Sequence, residues 1–226
     1  MSLSTNLPGP GYVLRGEVMP AVVCLDCSES MLQNDKMGSM NKALQRFIEA
    51  IRKHDRASEV LEWEFITFQT DASGTPRINE LIGAFQRPQE QIDLGDLKAE
   101  GKTPLAEAVD LALRKLAAQK KDYMDTKQPY LQPWLVVMTD GIATSPPELI
   151  EKVLQDVNNL VTQNKLTVIA VGIGLDADRN FLARLSPKRA PDLISDEAIN
   201  TYFTKLSDSF ILASQGVVDA PALAAS

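Results

Sequence analysis

Apolar and polar positions along this chain follow two periods, one of strands and one of helices. Met19 to Asp26 (MPAVVCLD) is a short, nearly continuous apolar run, the pattern of a central parallel strand buried on both faces. Met37, Met40, Leu44, Phe47, Ile48 and Ile51 then recur at helical spacing and form one apolar stripe. Val60 to Phe68 (VLEWEFITF) alternates and is rich in aromatic and β-branched residues, which predicts a strand. A weaker strand is expected over Arg77 to Ile82, after the turn-like residues Asp71 to Pro76, and it reads as an edge strand. Thr103 to Lys115 opens a helix with Pro104 in its first turn, a position that tolerates proline. Trp134 to Thr139 (WLVVMT) reads as a second buried strand. Pro146 and Pro147 begin a helix carrying Leu149, Val153, Val157, Leu160 and Val161. Leu166 to Val171 is a further buried strand, and Asp192 to Ser195 a short last one. After it comes a helix with Ile199, Phe203, Leu206, Phe210 and Ile211.

Repeated strand-then-helix units imply right-handed crossovers and a mostly parallel sheet with helices on both faces. The expected fold is therefore α/β and Rossmann-like, with one antiparallel edge strand. Residues 1–17, broken by Pro8, Gly9, Pro10 and Gly11, read as a flexible leading segment, 18–213 as one domain, and 214–226 as a disordered Ala-rich tail. No internal repeat stands out.

Composition narrows the function classes. The chain has 226 residues, 44% hydrophobic and 23% charged, which suits one domain with a sizeable core. A net charge of −7 argues against nucleic acid as partner, because phosphate binding wants a basic face. No stretch approaches the roughly 20 apolar residues of a membrane helix. The leading residues lack the basic start and apolar run of a signal peptide, and two cysteines make no disulfide framework. The expected location is the cytoplasm.

Three polar clusters fall where such a sheet places its ligand site, at the carboxyl ends of buried strands. Asp26-Cys27-Ser28-Glu29-Ser30 follows the first strand, Gly101-Lys102-Thr103 precedes a helix, and Asp140-Gly141 follows the Trp134–Thr139 strand. Asp26, Ser28, Ser30, Thr103 and Asp140 together offer two carboxylates and three hydroxyls. An oxygen-only set suits a hard cation such as Mg²⁺ or Mn²⁺, since soft metals prefer Cys or His and His54 is the single histidine.

Asp26, Ser28 and Ser30 form a D-x-S-x-S pattern, which resembles the metal-ion-dependent adhesion site (MIDAS) of von Willebrand factor A domains. Thr103 and Asp140 resemble that site's separate threonine and aspartate, in the family's order, and the resemblance covers roughly Met19 to Leu212. It implies that Ser28, Ser30 and Thr103 offer hydroxyl oxygens directly to a divalent cation, with Mg²⁺ expected and Mn²⁺ or Ca²⁺ as alternatives. Asp26 and Asp140 would act mostly through bound water. A partner protein would then complete the shell with an Asp or Glu carboxylate. Glu29 stands where the family often has Gly, a departure that bears on the partner more than on the metal. Within the family the chain resembles small bacterial tellurite-resistance (TerY-type) proteins. That likeness implies an adaptor in a stress or phospho-signalling system with a kinase or phosphatase as partner.

Other readings compete for the same residues. Ser28, Ser30 and Thr103 also suit helix capping, since their oxygens accept orphan backbone N–H bonds. Cys24-Leu25-Asp26-Cys27 is formally a C-x-x-C, but Cys24 lies in an apolar strand and reads as core. His54, and Lys115 to Asp122, read as solvated faces. Gly172-Ile173-Gly174 reads as a turn, because the rest of a dinucleotide fingerprint is missing. Trp134 and Met138 read as core, while Ile142 and Ala143 are placed to shape a docking surface. A metal-dependent phosphoester hydrolase is the rival function, but there is no second acid two residues after Asp26, no histidine base and no Walker-type loop. A scaffold that no longer binds metal is the third reading.

Overall fold

The computed structural model describes residues 16–89 and 94–215. The flexible segment expected over 1–17 and the tail expected over 214–226 therefore lie outside the described residues, apart from Gly16, Glu17, Ser214 and Gln215.

Among the described residues six strands form one sheet: β1 (Met19–Asp26), β2 (Leu61–Thr70), β3 (Pro76–Glu80), β4 (Trp134–Thr139), β5 (Thr167–Ile173) and β6 (Asp192–Ile194). Their order across the sheet is β3-β2-β1-β4-β5-β6, and only the edge strand β3 runs antiparallel. The helices of the described residues are α1 (Lys36–Arg52), α2 (Asp55–Val60), α3 (Leu105–Asp125), α4 (Pro147–Thr162), α5 (Arg179–Leu185) and α6 (Ile199–Ser214), with short 3₁₀ turns at Glu29–Asp35 and Asp196–Ala198. The expected Rossmann-like arrangement is what the chain adopts.

Every residue of β1 is buried, as its unbroken apolar run demands. Met19, Ala21, Val23 and Leu25 face α1, α2 and α6, while Val22 and Cys24 face α3, α4 and α5. The first layer is closed by an aromatic group. Phe47 of α1 meets Phe203 and Phe210 of α6 edge-on at 5.8 and 5.6 Å, and Phe210 reaches Trp134 of β4 at 4.8 Å.

The structure departs from the sequence reading in several places. Val60 ends α2, so the strand begins one residue later, at Leu61, and runs on to Thr70. The edge strand is Pro76–Glu80, shifted towards the turn. The short helices α2 and α5 had no counterpart in the apolar periodicity. Gly172 and Ile173 belong to β5, and only Gly174, at φ +75°, makes the turn. Gly172 is required by packing: a Cβ there would lie 2.9 Å from Ala177 Cβ and Leu193 Cδ2. His54 is not simply a solvated residue either. Its Nδ1 accepts from the Ala57 backbone N–H at 3.2 Å and caps α2.

Candidate metal centre

The strand order locates the candidate site. From β1 the chain crosses to β2 on one side, and later returns to lay β4 against the other side of β1. Loops leaving adjacent strands in opposite senses open a crevice at their carboxyl ends, the usual ligand position in open α/β sheets. Asp26 ends β1 and Asp140 directly follows β4, on the two sides of that crevice. Leu25 pairs with Met138, so Asp26 lies level with Thr139, whose hydroxyl donates to Asp26 Oδ2.

Backbone contacts stitch the third segment in. Glu29 N–H donates to the Gly101 carbonyl at 2.9 Å and Glu100 N–H to the Cys27 carbonyl at 2.8 Å. Thr70, ending β2, accepts through its hydroxyl from Lys102 N–H at 2.9 Å. Gly101 has φ +65°, and a Cβ there would fall 2.1 Å from the Thr70 carbonyl oxygen, so the close approach that positions Thr103 needs a glycine. The Thr103 carbonyl accepts from Thr144 N–H at 2.9 Å, which ties this loop to the one after Asp140.

All five residues singled out in the sequence meet here. Ser28 Oγ and Ser30 Oγ are 3.0 Å apart, and Ser30 Oγ donates to Asp140 Oδ1 at 2.6 Å. Ser28 N–H donates to Asp26 Oδ1 at 2.8 Å, turning the loop back on its own carboxylate. Thr103 Oγ1 finds no hydrogen-bond partner among the described residues and faces Gly141, where an added Cβ would sit 3.2 Å from it and 3.8 Å from Ser30 Oγ. Glycine at 141 therefore leaves a cradle between the two hydroxyls. Helix capping does not account for these oxygens. Ser28 precedes the first 3₁₀ turn without a side-chain cap bond, and Pro104, not Thr103, occupies the N-cap of α3.

Asp26 and Asp140 are fully buried. Burial pushes the Asp26 carboxyl up to about 6, against the lowering effect of its bonds from Ser28 and Thr139, with the neighbouring Asp140 charge adding to the rise. Asp140 has a cation of its own. Lys36, the first residue of α1 and almost wholly buried, places Nζ 2.8 Å from Asp140 Oδ2. Sequence reasoning passed over Lys36, yet a signal was present: it lies at helical spacing with Met40, Ala43 and Phe47, a charge on an apolar stripe. The cysteines are inert by comparison. Both are buried, which drives the Cys24 thiol far above its ordinary value and Cys27 up to about 12.

Ser28, Ser30, Thr103 and Asp140 line a cleft of about 800 Å³, and the buried Asp26 lies beneath it, bonded to Ser28. Glu29 and Lys102 stand on its rim, as do the apolar side chains of Leu32 and Ile142, which are 59% and 66% exposed. Among the described residues no group of three His, Cys, Asp or Glu side chains could hold a metal. What the cleft offers is two carboxylates, hydroxyls and space for water. Such a set fits a hard divalent cation that retains part of its hydration shell and excludes a soft-metal centre.

Comparison with known proteins bears on the fold. No curated protein sequence matches the chain. The von Willebrand factor type A protein from Catenulispora acidiphila superposes with a TM-score of 0.62 at 18% identity, over 86% of this chain and 43% of that one. The vWF domain of the type V pili tip protein Mfa5 from Porphyromonas gingivalis gives 0.64 at 10% identity, over 88% of this chain and 97% of that one. Proximal thread matrix protein 1 from the mussel byssus, solved with a zinc-occupied MIDAS motif, gives 0.51 at 14% identity, over 86% and 48%. The chain thus spans under half the length of the first and third of these. At such identities the likeness speaks for the fold alone. The family model for the von Willebrand factor type A domain matches residues 22–210, from β1 through α6, and the chain therefore belongs to that family.

Proposed function

We propose that this chain is a metal-dependent protein-binding module. Ser28, Ser30 and Thr103 would hold Mg²⁺ through their hydroxyls, with Asp26 and Asp140 acting chiefly through water. The observation that carries this reading is the Thr103 hydroxyl, unpartnered among the described residues and opposed to Ser30 across the space kept by Gly141. A cation held by few direct negative ligands stays electrophilic and attracts an incoming Asp or Glu. The exposed apolar rim at Leu32 and Ile142 supports a protein over a small anion as the occupant.

An adaptor role in a bacterial stress or phospho-signalling system, with a kinase or phosphatase partner, is proposed on the sequence resemblance to tellurite-resistance proteins alone, and the cytoplasm is proposed as its location. Among the described residues no helix is long and apolar enough to cross a membrane. A binding role is favoured over hydrolysis because the single histidine caps α2 near the start of β2, and β2 runs parallel to β1. That puts His54 at the opposite end of the sheet from the cleft.

Calorimetric titration of Mg²⁺ and Mn²⁺ into chelator-stripped protein tests the proposal, and millimolar concentrations must be covered. Saturable binding is expected, with loss of at least tenfold in affinity in Asp26→Ala and Ser28→Ala. No heat and no metal-dependent rise in melting temperature would favour the scaffold reading. Phosphoester turnover abolished by Asp26→Ala would favour the hydrolase.

A further inference from the structure

The five-residue constellation leaves Lys36 unexplained. A buried ammonium is costly unless its charge is met, and here it is met by a residue of the proposed metal site. Its approach is from behind. Asp140 Oδ1 takes the Ser30 hydroxyl and borders the cleft, whereas Oδ2 takes the Lys36 ammonium. Lys36 does not line the cleft. It lines a separate hollow of about 540 Å³ with Asn34, Gly174 and Asp196. Gly174, at φ +75°, leaves room for Asp196: a Cβ there would stand 2.9 Å from Asp196 Oδ1 and in ordinary contact, 3.7 Å, with Lys36 Nζ. That Asp196 oxygen is buried without a hydrogen-bond partner, while Oδ2 accepts from Asn34 at 2.7 Å. A second carboxylate thus lines the same hollow as the ammonium, beyond ion-pair distance from it.

We infer that Lys36 is a fixed counter-charge behind Asp140, which loosens the site's hold on the bare cation and strengthens its hold on an incoming carboxylate. The inference rests on the metal-dependent reading of the cleft. Its logic is electrostatic. Asp26 and Asp140 carry two formal negative charges and Lys36 removes one of them. A positive charge one side chain away from a divalent cation repels it, and it attracts an anion docking at the same place. The lysine therefore shifts binding strength from the metal to the partner. It acts as a positioning residue, since it orients Asp140 and touches neither the cleft nor its contents.

Mn²⁺ titrated calorimetrically into the chelator-stripped full chain gives the first readout, for the natural protein, Lys36→Met and Lys36→Arg. Acetate is then titrated at saturating Mn²⁺, and its displacement of metal-bound water is followed by water-proton relaxation. Lys36→Met is expected to bind Mn²⁺ roughly tenfold more tightly and acetate several-fold more weakly, with Lys36→Arg staying near the natural protein in both. A lysine that merely braces the fold would not move the two affinities in opposite directions. Unchanged or weaker Mn²⁺ binding in folded Lys36→Met overturns the inference. If the natural protein binds no Mn²⁺, the metal reading itself fails. If Lys36→Met unfolds without metal, recovery of its melting transition in Mn²⁺ supports the counter-charge, because the cation then replaces the missing positive charge. Failure to fold with or without Mn²⁺ makes Lys36 a structural brace and ends the proposal.

Discussion

Asp26 ties the stability of the fold to pH and, if the cleft holds a cation, ties binding to pH as well. Its carboxyl, ordinarily near 3.8, is pushed up to about 6 by burial. In metal-free protein the folded state therefore holds a proton between about pH 4 and pH 6 that the unfolded chain releases. Stability from this group is fully present below about 4 and falls as the pH rises through about 6. Denaturant unfolding in chelator should show that decline, and Asp26→Asn should flatten it; a natural protein whose stability climbs through this window would contradict the assignment. A cation bound as proposed would have to displace the same proton, so Mn²⁺ affinity should rise across the same range. The side chains of this cluster were legible in the sequence because D-x-S-x-S and Asp140 each stand at a strand end and Thr103 stands just before a helix. Lys36 and Thr139 were not singled out. Their roles come from neighbours distant in sequence, Lys36 with Asp140 and Thr139 with Asp26, which a linear reading does not bring together.

Elements were legible in proportion to their length and periodicity. β1, β4, α1, α4 and α6 carry long apolar patterns, and each appears where those patterns lie. The seven-residue α5 and six-residue α2 hold too few turns for a stripe, and their signals are local caps, Asp178 and His54. The Lys115–Asp122 segment reads as solvated, yet Lys115 belongs to the body of α3 and binds across to the sheet. Its Nζ pairs with Glu80 and stands 3.2 Å from Oε2 of the fully buried Glu64. Glu64 Oε1 accepts from the backbone N–H groups of Phe65 and Ile82 at 3.0 and 3.1 Å. This carboxylate thus fastens the return from β3 to the middle of β2, and Lys115 supplies its charge. Lys115→Met should destabilise the protein by roughly 3 kcal/mol by leaving a buried charge uncompensated. A double substitution with Glu64→Gln should recover much of that loss, and denaturant melts of the three variants decide it. A strictly additive double variant would show that the pair is not coupled.

At the scale of the whole molecule, the sheet gathers chemistry and apolar surface at the same end. Ile142 and Leu32 stand on the cleft, and Leu175, 88% exposed, stands over the adjoining hollow, with Asp176 bordering both. Exposed leucine or isoleucine side chains are ordinary when scattered singly, but two of these stand on the polar cleft and the third on the hollow beside it. The sequence placed Ile142 beside the site because it follows Asp140-Gly141. Leu32 and Leu175 come from the loops after β1 and β5 and converge only in the folded chain. If this rim receives a protein, the segment that docks should carry an acidic residue with apolar neighbours, the carboxylate for the cation and the apolar side chains for the rim. Selection of displayed peptides on the Mn²⁺-loaded protein should enrich Asp or Glu flanked by apolar residues, with binding lost in chelator. Ile142→Ser combined with Leu175→Ser should leave melting temperature and Mn²⁺ affinity unchanged, because both side chains are already solvated, while weakening the selected peptides at least tenfold. Enrichment of basic or unpatterned peptides would break the link between rim and cation. Equal binding by the double variant would reduce the rim to incidental surface and leave the cation alone to recognise its ligand.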